Sequence, residues 1–201
     1  MKSLTSGLLG ICGLFAAPVA ADELPSGALI AALQSGGHVI YLRHTSTESD
    51  YADQVTADPA NCATQRVLSE LGWAQARDIG KAVQALHIPV SEVISSDYCR
   101  AWQTADLAFG GYRKESALNF EPSEAYTDAQ VSAMRDRVAP LITAPLPKAA
   151  GNRVIVGHDD PFEAVTGIYP EPQGVAYVLK PNGSGGFAVL GHIDPDAWPN
   201  S

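Results

Sequence analysis

Positive charge is scarce in this sequence. Its 201 residues include 13 lysines and arginines against 22 aspartates and glutamates, so the formal net charge at pH 7 is −9. A surface with this excess of negative charge repels nucleic acid and anionic lipid, and neither is an expected partner. Any group of arginines that converges on one place therefore opposes the overall balance and indicates an anionic ligand.

Long apolar runs are also rare, and the one that exists lies at the N-terminus. After Lys2 a short apolar run extends to Ala17, and small residues follow it. This is the pattern of a secretory signal peptide with cleavage after Ala21, and an uncleaved membrane anchor is the alternative. The pattern predicts a leader at 1–21, a single domain at 22–201, a secreted or periplasmic location and no membrane anchor after cleavage.

Cysteines number only three, and Cys12 leaves with the leader. Cys62 and Cys99 remain, an even number in an oxidising compartment, so they are predicted to form a disulfide; two separate buried thiols are the alternative. Such a bridge closes a loop of about 38 residues, which loop-closure entropy values at roughly 3–4 kcal/mol. No CxxC or HxxxH spacing accompanies the cysteines, so we expect no metal or cofactor.

Apolar, β-branched runs alternate with helical stretches along the domain. Such alternation is typical of right-handed βαβ crossovers and a parallel sheet, and residues 182–186 have the composition of a hairpin turn. We therefore predict an α/β fold, a three-layer α/β/α sandwich with a mainly parallel central sheet and a C-terminal β-hairpin at its edge. The predicted strands are 38–42, 90–95, 153–157, 175–179 and 187–193, and the predicted helices are 26–34, 68–86, 98–109, 127–141 and 161–166.

Basic side chains follow three of the predicted strands. Arg43 and His44 follow the first, Arg100 comes shortly after the second, and His158 and Asp159 follow the third. The carboxyl ends of parallel strands meet at one edge of a sheet, where ligands bind. Two arginines and two histidines are therefore expected to converge there, in a chain that is otherwise acidic.

These segments resemble the motifs of the histidine phosphatase superfamily. Residues 42–47, Leu-Arg-His-Thr-Ser-Thr, are similar to its Arg-His-Gly-x-Thr signature, and residues 96–105 resemble its Ser-x-x-x-Arg-x-x-x-Thr-Ala motif. Residues 156–158 are similar to its Val-Gly-His motif, and residues 68–76 to its helix pattern. The resemblance extends from about residue 37 to residue 198, with the motifs in order.

The resemblance implies a phosphoryl-transfer site that needs no metal. His44 would be the nucleophile and form a phosphohistidine, which divides hydrolysis into two easier steps. Arg43, Arg100 and His158 would hold the phosphoryl oxygens, since arginine forks match the geometry of a phosphate group. Thr47, in the same signature as the nucleophile, would also bind substrate.

Two features depart from the family pattern. Thr45 stands where the family has glycine, and its side chain either donates to phosphate or narrows the pocket. The proton donor is not fixed by a motif. Asp159 matches the His-Asp pair of the phytase-like branch and is the favoured residue. In the mutase-like branch a mid-chain glutamate serves, which makes Glu124, or Glu121, the alternative, and Asp160 is a further candidate.

Gln65 and Arg66 precede the second predicted helix and belong to none of these motifs. We expect them to form a solvated helix start, and a place at the substrate entrance is the alternative.

The predicted function is extracytoplasmic hydrolysis of a small-molecule phosphate monoester by an enzyme of the histidine acid phosphatase type. Two alternatives stay open. One is a phosphate-ester binding protein with impaired turnover, because the proton donor is ambiguous. The other is a phosphomutase, because mutases of this family resemble the phosphatases in their nucleophile.

Overall fold

The computed structural model describes residues 23–50, 52–54, 57–121 and 125–199. The predicted leader and the alternative acid Glu124 lie outside these residues, so both stay predictions. Within the described ranges, no helix has the length and apolar character needed to cross a membrane.

The helices and strands follow the predicted order. They are α1 Ser26–Ser35, β1 Val39–Arg43, α2 Glu70–Ala85, β2 Val90–Ser95, α3 Cys99–Phe109, β3 Arg113–Lys114, α4 Asp128–Thr143, β4 Asn152–Gly157, α5 Asp159–Thr166, β5 Ala176–Pro181 and β6 Phe187–Ile193. Each predicted helix and strand is confirmed to within two residues at either end. The short strand β3 was not predicted, because two exposed basic residues carry no alternating apolar pattern.

The strands form one sheet in the order β3-β2-β4-β1-β5-β6. β3, β2, β4 and β1 run parallel to one another, whereas β5 pairs antiparallel with both β1 and β6. The predicted mainly parallel sheet with a C-terminal hairpin at its edge is therefore confirmed. The order also places the ends of β2, β4 and β1 side by side.

Helices cover both faces of the sheet. Ile40 and Leu42 of β1 point to one face, in a cluster with side chains of α1, α2 and α3. Val39 and Tyr41 point to the other, against side chains of α4 and α5. This alternation follows from the period of two along a strand, and it confirms the predicted three-layer sandwich.

The loop after β1 is fixed against the start of α2. Ser69 caps α2 by accepting from Gly72 N–H (3.1 Å), and its hydroxyl donates to Ser46 O (3.2 Å). A side chain at position 72 would overlap the Ser46 backbone, so only glycine permits this approach. The contact holds the chain immediately after His44 in place.

Candidate active site

The ends of β1, β4 and β2 meet as the strand order requires, and backbone hydrogen bonds continue the pairing past the strand ends. His44 N–H donates to Gly157 O, and Ser96 N–H donates to Val156 O, each across 3.0 Å. The ring centroids of His44 and His158 are 5.4 Å apart as a result. The predicted convergence of basic side chains at this edge is present in the structure.

His44 is fully buried, and two contacts fix its imidazole. Nδ1 lies 3.0 Å from the carbonyl oxygen of Thr45, which can only accept, so Nδ1 carries the proton. Arg100 Nε–H donates to Nε2 across 3.3 Å. Burial, reinforced by the charges of Arg100 and Arg43, lowers the pKa of His44 well below 6.5. The ring is therefore neutral at neutral pH, and its unprotonated Nε2 accepts from Arg100, a hydrogen bond that must be released before Nε2 can act as a nucleophile.

Arg43 is held by two acceptors. Its guanidinium donates from Nη2 to Asp159 Oδ2 (2.5 Å) and from Nη1 to Pro170 O (2.8 Å). The residue is 4% exposed, and its buried Nε–H finds no acceptor among the described residues. Arg43 is thus positioned before any ligand binds and keeps a donor free.

Arg100 is likewise oriented by a carboxylate. Nη1 donates to Asp53 Oδ1 (2.9 Å), while Nε contacts His44. The guanidinium lies over the rings of Tyr98 and Phe120, 5.4 Å and 5.1 Å from their centroids. Asp53 was not predicted as a site residue from the sequence. The one feature that could have indicated it is its place in a long polar loop, because long ordered loops are often functional.

His158 is held by a chain of polar contacts that assigns its protons. Asn119 Oδ1 accepts from Asp97 N–H, and its amide donates to Asp97 Oδ2, so its orientation is fixed. The Ser96 hydroxyl therefore donates to Asn119 Oδ1 (2.8 Å) and accepts from His158 Nε2 (2.9 Å). Burial, together with the charge of Arg100, lowers the pKa of His158 well below 6.5. In the neutral ring Nδ1 is unprotonated, and it has no hydrogen-bond partner within the described residues.

Two adjacent carboxyl groups begin α5, in different surroundings. Asp159 Oδ2 accepts from Arg43 and from the Tyr169 hydroxyl (2.8 Å). Asp160 Oδ2 lies 2.9 Å from the Tyr126 hydroxyl, which is also 3.1 Å from the Glu121 carbonyl oxygen. Burial and the neighbouring Asp159 charge raise the pKa of Asp160. A protonated Asp160 can donate to Tyr126 while Tyr126 donates to the carbonyl, so both contacts are then satisfied.

The two glutamates named as alternative proton donors are not shown in contact with His44 or Arg43 within the described residues. The Glu121 carboxylate forms an ion pair with Arg137 Nη1 of α4 (2.6 Å), which directs it to that helix. Glu124, the first alternative to Asp159, lies outside the described residues. Of the named candidates in the described ranges, Asp159 is the one in contact with an arginine of the convergent basic cluster, since its Oδ2 pairs with Arg43.

Thr45 and Thr47, the two threonines of the first motif, both form hydrogen bonds to other residues of the protein. Thr104 donates its hydroxyl proton to Arg100 O (2.7 Å), so the Thr45 hydroxyl must donate to Thr104 Oγ1 (3.2 Å). This favours the expectation that Thr45 narrows the pocket. The predicted substrate ligand Thr47 donates from N–H (2.9 Å) and hydroxyl (3.3 Å) to Gln173 Oε1. Its hydroxyl has to leave that acceptor to reach a substrate.

The expectation that Gln65 lies in a solvated helix start is wrong. Gln65 is fully buried, and its side chain links the long loop to α3 by accepting from Cys99 N–H (2.7 Å) and donating to Asp58 O (2.7 Å). A glutamine is buried here because both ends of its amide find backbone partners. Arg66 beside it is half-buried.

The predicted disulfide joins Cys62 to Cys99, with 5.7 Å between their Cα atoms. Cys99 is the first residue of α3 and precedes Arg100. The bridge therefore ties the loop that carries Asp53 to the helix that carries Arg100, the two partners of one ion pair.

Comparisons with known proteins agree with the fold and the motifs. Residues 39–119 match the family model of the histidine phosphatase superfamily (branch 1). A comparison with curated protein sequences finds no match.

Three solved structures illustrate the similarity in fold. The protein histidine phosphatase SixA, complexed with tungstate, is 13% identical over 79% of this chain and 97% of its own, with a TM-score of 0.55. A phosphoserine phosphatase mutant from Entamoeba histolytica, complexed with phosphoserine, is 13% identical over 77% and 95%, with a TM-score of 0.55. A mycobacterial glucosyl-3-phosphoglycerate phosphatase with bound VO3 is 19% identical over 72% and 92%, with a TM-score of 0.52.

At these identities the structural similarity demonstrates the fold, and the family match adds the segment from β1 through α3, which carries Arg43, His44 and Arg100. The third motif, with His158, follows on β4 in the expected place. The segment 39–119 is therefore similar in sequence to the histidine phosphatase superfamily, and the fold of the described residues is similar to that of solved phosphatases.

Proposed function

We propose that this protein hydrolyses small-molecule phosphate monoesters through a phosphohistidine intermediate on His44. The observation that carries this proposal is the fixed, neutral His44 ring, whose Nε2 contacts Arg100 in a cluster of buried side chains that also contains Arg43 and His158. Support also comes from the structural neighbours, which are phosphatases, two of them holding the oxyanions tungstate and VO3.

In the first step His44 Nε2 attacks phosphorus in line with the ester oxygen. The P–N bond forms as the P–O bond to the leaving group breaks, and the ester oxygen takes a proton from the acid. Arg43 Nε, the remaining guanidinium donors of Arg100 and a protonated His158 Nδ1 bind the other phosphoryl oxygens. Donors fixed in advance stabilise the charge that develops there, which is the main contribution a protein makes to phosphoryl transfer.

In the second step water attacks the phosphohistidine. The P–N bond breaks, the water proton passes to the carboxylate left by the first step, and inorganic phosphate leaves. We assign the donor and acceptor of these protons to Asp159, whose Oδ1 takes no hydrogen bond from the described residues and which lies beside Arg43. Asp160, with its raised pKa, is the rival within the described residues.

A cavity beside Arg43 offers space for the leaving group. It has a volume of about 530 Å³ and is lined by Arg43, Glu171, Pro172 and Gln173. This volume lies within the range of small-molecule sites, about 300–1,000 Å³. The proposed substrates are therefore phosphate esters of small alcohols, with specificity set by the 171–173 segment.

We further propose that the enzyme acts outside the cytoplasm. The leader pattern at 1–21 supports this, as does the Cys62–Cys99 disulfide, because disulfides persist in oxidising compartments. Activity recovered from cell extracts should separate with the periplasmic or secreted fraction, and activity confined to the cytoplasm would contradict the proposal.

The function is tested with a panel of phosphate monoesters and the His44→Ala variant. Wild-type protein should release inorganic phosphate and, when quenched during turnover, carry an acid-labile phosphoryl group. His44→Ala should remain folded by circular dichroism and lose both. Retained turnover in purified His44→Ala would exclude the nucleophile. Phosphate binding with no hydrolysis by the wild type would indicate the binding protein, and transfer to a second substrate in place of water would indicate the mutase.

A further inference from the structure

Arg66 is a basic residue close to the proposed phosphoryl site. Neither step of the proposed hydrolysis assigns it a role. Its backbone N–H donates to Asp53 Oδ1 (2.7 Å), the same oxygen that accepts from Arg100 Nη1 (2.9 Å). One carboxylate oxygen thus joins the Arg66 backbone to the Arg100 guanidinium. The adjacent Gln65 is buried and fixes this segment to the start of α3. The fold therefore sets where Arg66 lies.

The Arg66 guanidinium has no anionic partner in the part of the chain that the structure describes. Its Nε is buried there without a hydrogen-bond acceptor. Arg43 and Arg100, by contrast, each form an ion pair with an aspartate. A buried N–H without an acceptor is costly, so the arrangement is expected where a ligand supplies the acceptor.

The charge of Arg66 acts on the groups that carry the chemistry. It lowers the pKa of both His44 and His158, after the larger effects of burial and of Arg100. On His158 the effect of Arg66 exceeds that of Arg43. This agrees with a guanidinium beside the same pocket as Arg43.

We propose that Arg66 is a third arginine that binds the transferred phosphoryl group. The proposal rests on the proposed function of the pocket, and its ligand class is a tetrahedral oxyanion dianion, either inorganic phosphate or the phosphoryl group of an ester. While both aspartates are ionised, as with inorganic phosphate as the ligand, the two arginine–aspartate pairs are each formally neutral. Arg66 therefore supplies the net positive charge that these pairs lack, and a dianion balances it together with a protonated His158.

Inorganic phosphate is the probe that tests this proposal, because it has no leaving group and is not consumed. Isothermal titration should show weaker binding by Arg66→Met than by wild type, by roughly 10- to 100-fold, the range for a lost hydrogen bond to a charged group. Arg66→Lys should recover part of the affinity. Arg77→Met, which removes the same charge from the exposed face of α2, is the matched control and should bind like wild type.

Kinetics with two ester substrates show whether Arg66 contacts the phosphoryl group or the leaving group. Loss of kcat/KM should be equal for nitrophenyl phosphate and an alkyl phosphate in Arg66→Met, because both share the phosphoryl group. Unchanged affinity for inorganic phosphate, with a loss confined to esters that carry a second anionic group, would place Arg66 at the leaving group and overturn the proposal.

The titration of His158, followed by NMR, separates binding from a structural role. Arg66→Met should raise the pKa of His158, because a nearby positive charge is removed. A variant that loses thermal stability and leaves the His158 titration unmoved would show a structural role and refute the proposal. Wild-type protein that binds phosphate through Arg66 and hydrolyses no ester would support this proposal and contradict the proposed function.

Discussion

The two pocket histidines are expected to be opposite tautomers. His44 should carry its proton on Nδ1, because the Thr45 carbonyl oxygen can only accept. His158 should carry its proton on Nε2, because the single hydroxyl proton of Ser96 is already donated to Asn119. Long-range ¹H–¹⁵N correlation spectra of the ring nitrogens distinguish the two forms, and His44→Ala and His158→Ala assign the signals.

Both rings should also stay neutral in mild acid. A histidine with the ordinary pKa of 6.5 is about nine-tenths protonated at pH 5.5. Burial and the nearby arginines lower both values well below 6.5, so neither ring should show the shift of an imidazolium at that pH. Added inorganic phosphate should raise the pKa of His158 and place a second proton on its Nδ1, because a bound dianion favours the imidazolium cation.

Asn119 offers the matched perturbation for these tautomers. Asn119→Ala frees the Ser96 hydroxyl to donate to His158 Nε2, so the His158 tautomer should change or become mixed while that of His44 stays the same. A wild-type His158 protonated on Nδ1 alone, or an Asn119→Ala variant with an unchanged His158 spectrum, would refute the reasoning. A His44 ring protonated on Nε2 would refute its assignment as a nucleophile poised for attack.

Three further outcomes are expected. Dialysis against a chelator should leave hydrolysis unchanged, because arginines supply the positive charge; activity lost on dialysis and restored by one divalent ion would contradict this. Asp159→Asn should slow an alkyl ester about 10²–10⁴-fold and nitrophenyl phosphate far less, because a nitrophenolate leaves without a proton. If Asp160→Asn shows this dependence on the leaving group and Asp159→Asn does not, the proton donor is Asp160. If neither variant shows it, Glu124 is the remaining candidate. Mass spectrometry of unreduced peptides from exported protein should find Cys62 linked to Cys99, and alkylatable thiols at both positions would show that the bridge does not form.

The sequence sufficed for every strand of the described sheet except β3, and for the residues at the strand ends. β1, β2 and β4 are runs with apolar, β-branched residues, and their parallel direction follows from the helices between them, whereas their order in the sheet was not predicted. Once the strands are parallel, Arg43, His44 and His158 must meet, because each directly follows or ends a strand. These predictions depend on local pattern and a general rule of topology, which a single sequence contains.

The partners of those residues could not be predicted in the same way. Asp53, Gln65 and Asn119 lie in irregular segments without periodicity, and each acts on a residue 20 or more positions away: Asp53 on Arg100, Gln65 on Cys99 and Asn119 on Ser96. A polar residue in a loop has the same appearance in sequence whether it is solvated or buried. Arg66 shows the same limit, since its proposed role depends on a guanidinium that has no carboxylate partner among the described residues, although its backbone contacts Asp53.

The acidic composition of the chain and its arginine-lined pocket are consistent with each other. Asp159 and Asp53 hold the two arginines in place, and both arginines are less than 5% exposed. Removing one partner of such a buried pair typically costs 3–5 kcal/mol, because the other charge is left uncompensated. The same carboxylates compete with phosphate for the guanidinium donors. They therefore fix the orientation of the two arginines but weaken the net attraction of the arginines for phosphate. A pocket built this way needs positive charge from elsewhere to favour a dianion over water. Two groups are in position to provide it: Arg66, whose guanidinium is unpaired among the described residues, and His158, which is expected to take up a proton when a dianion binds.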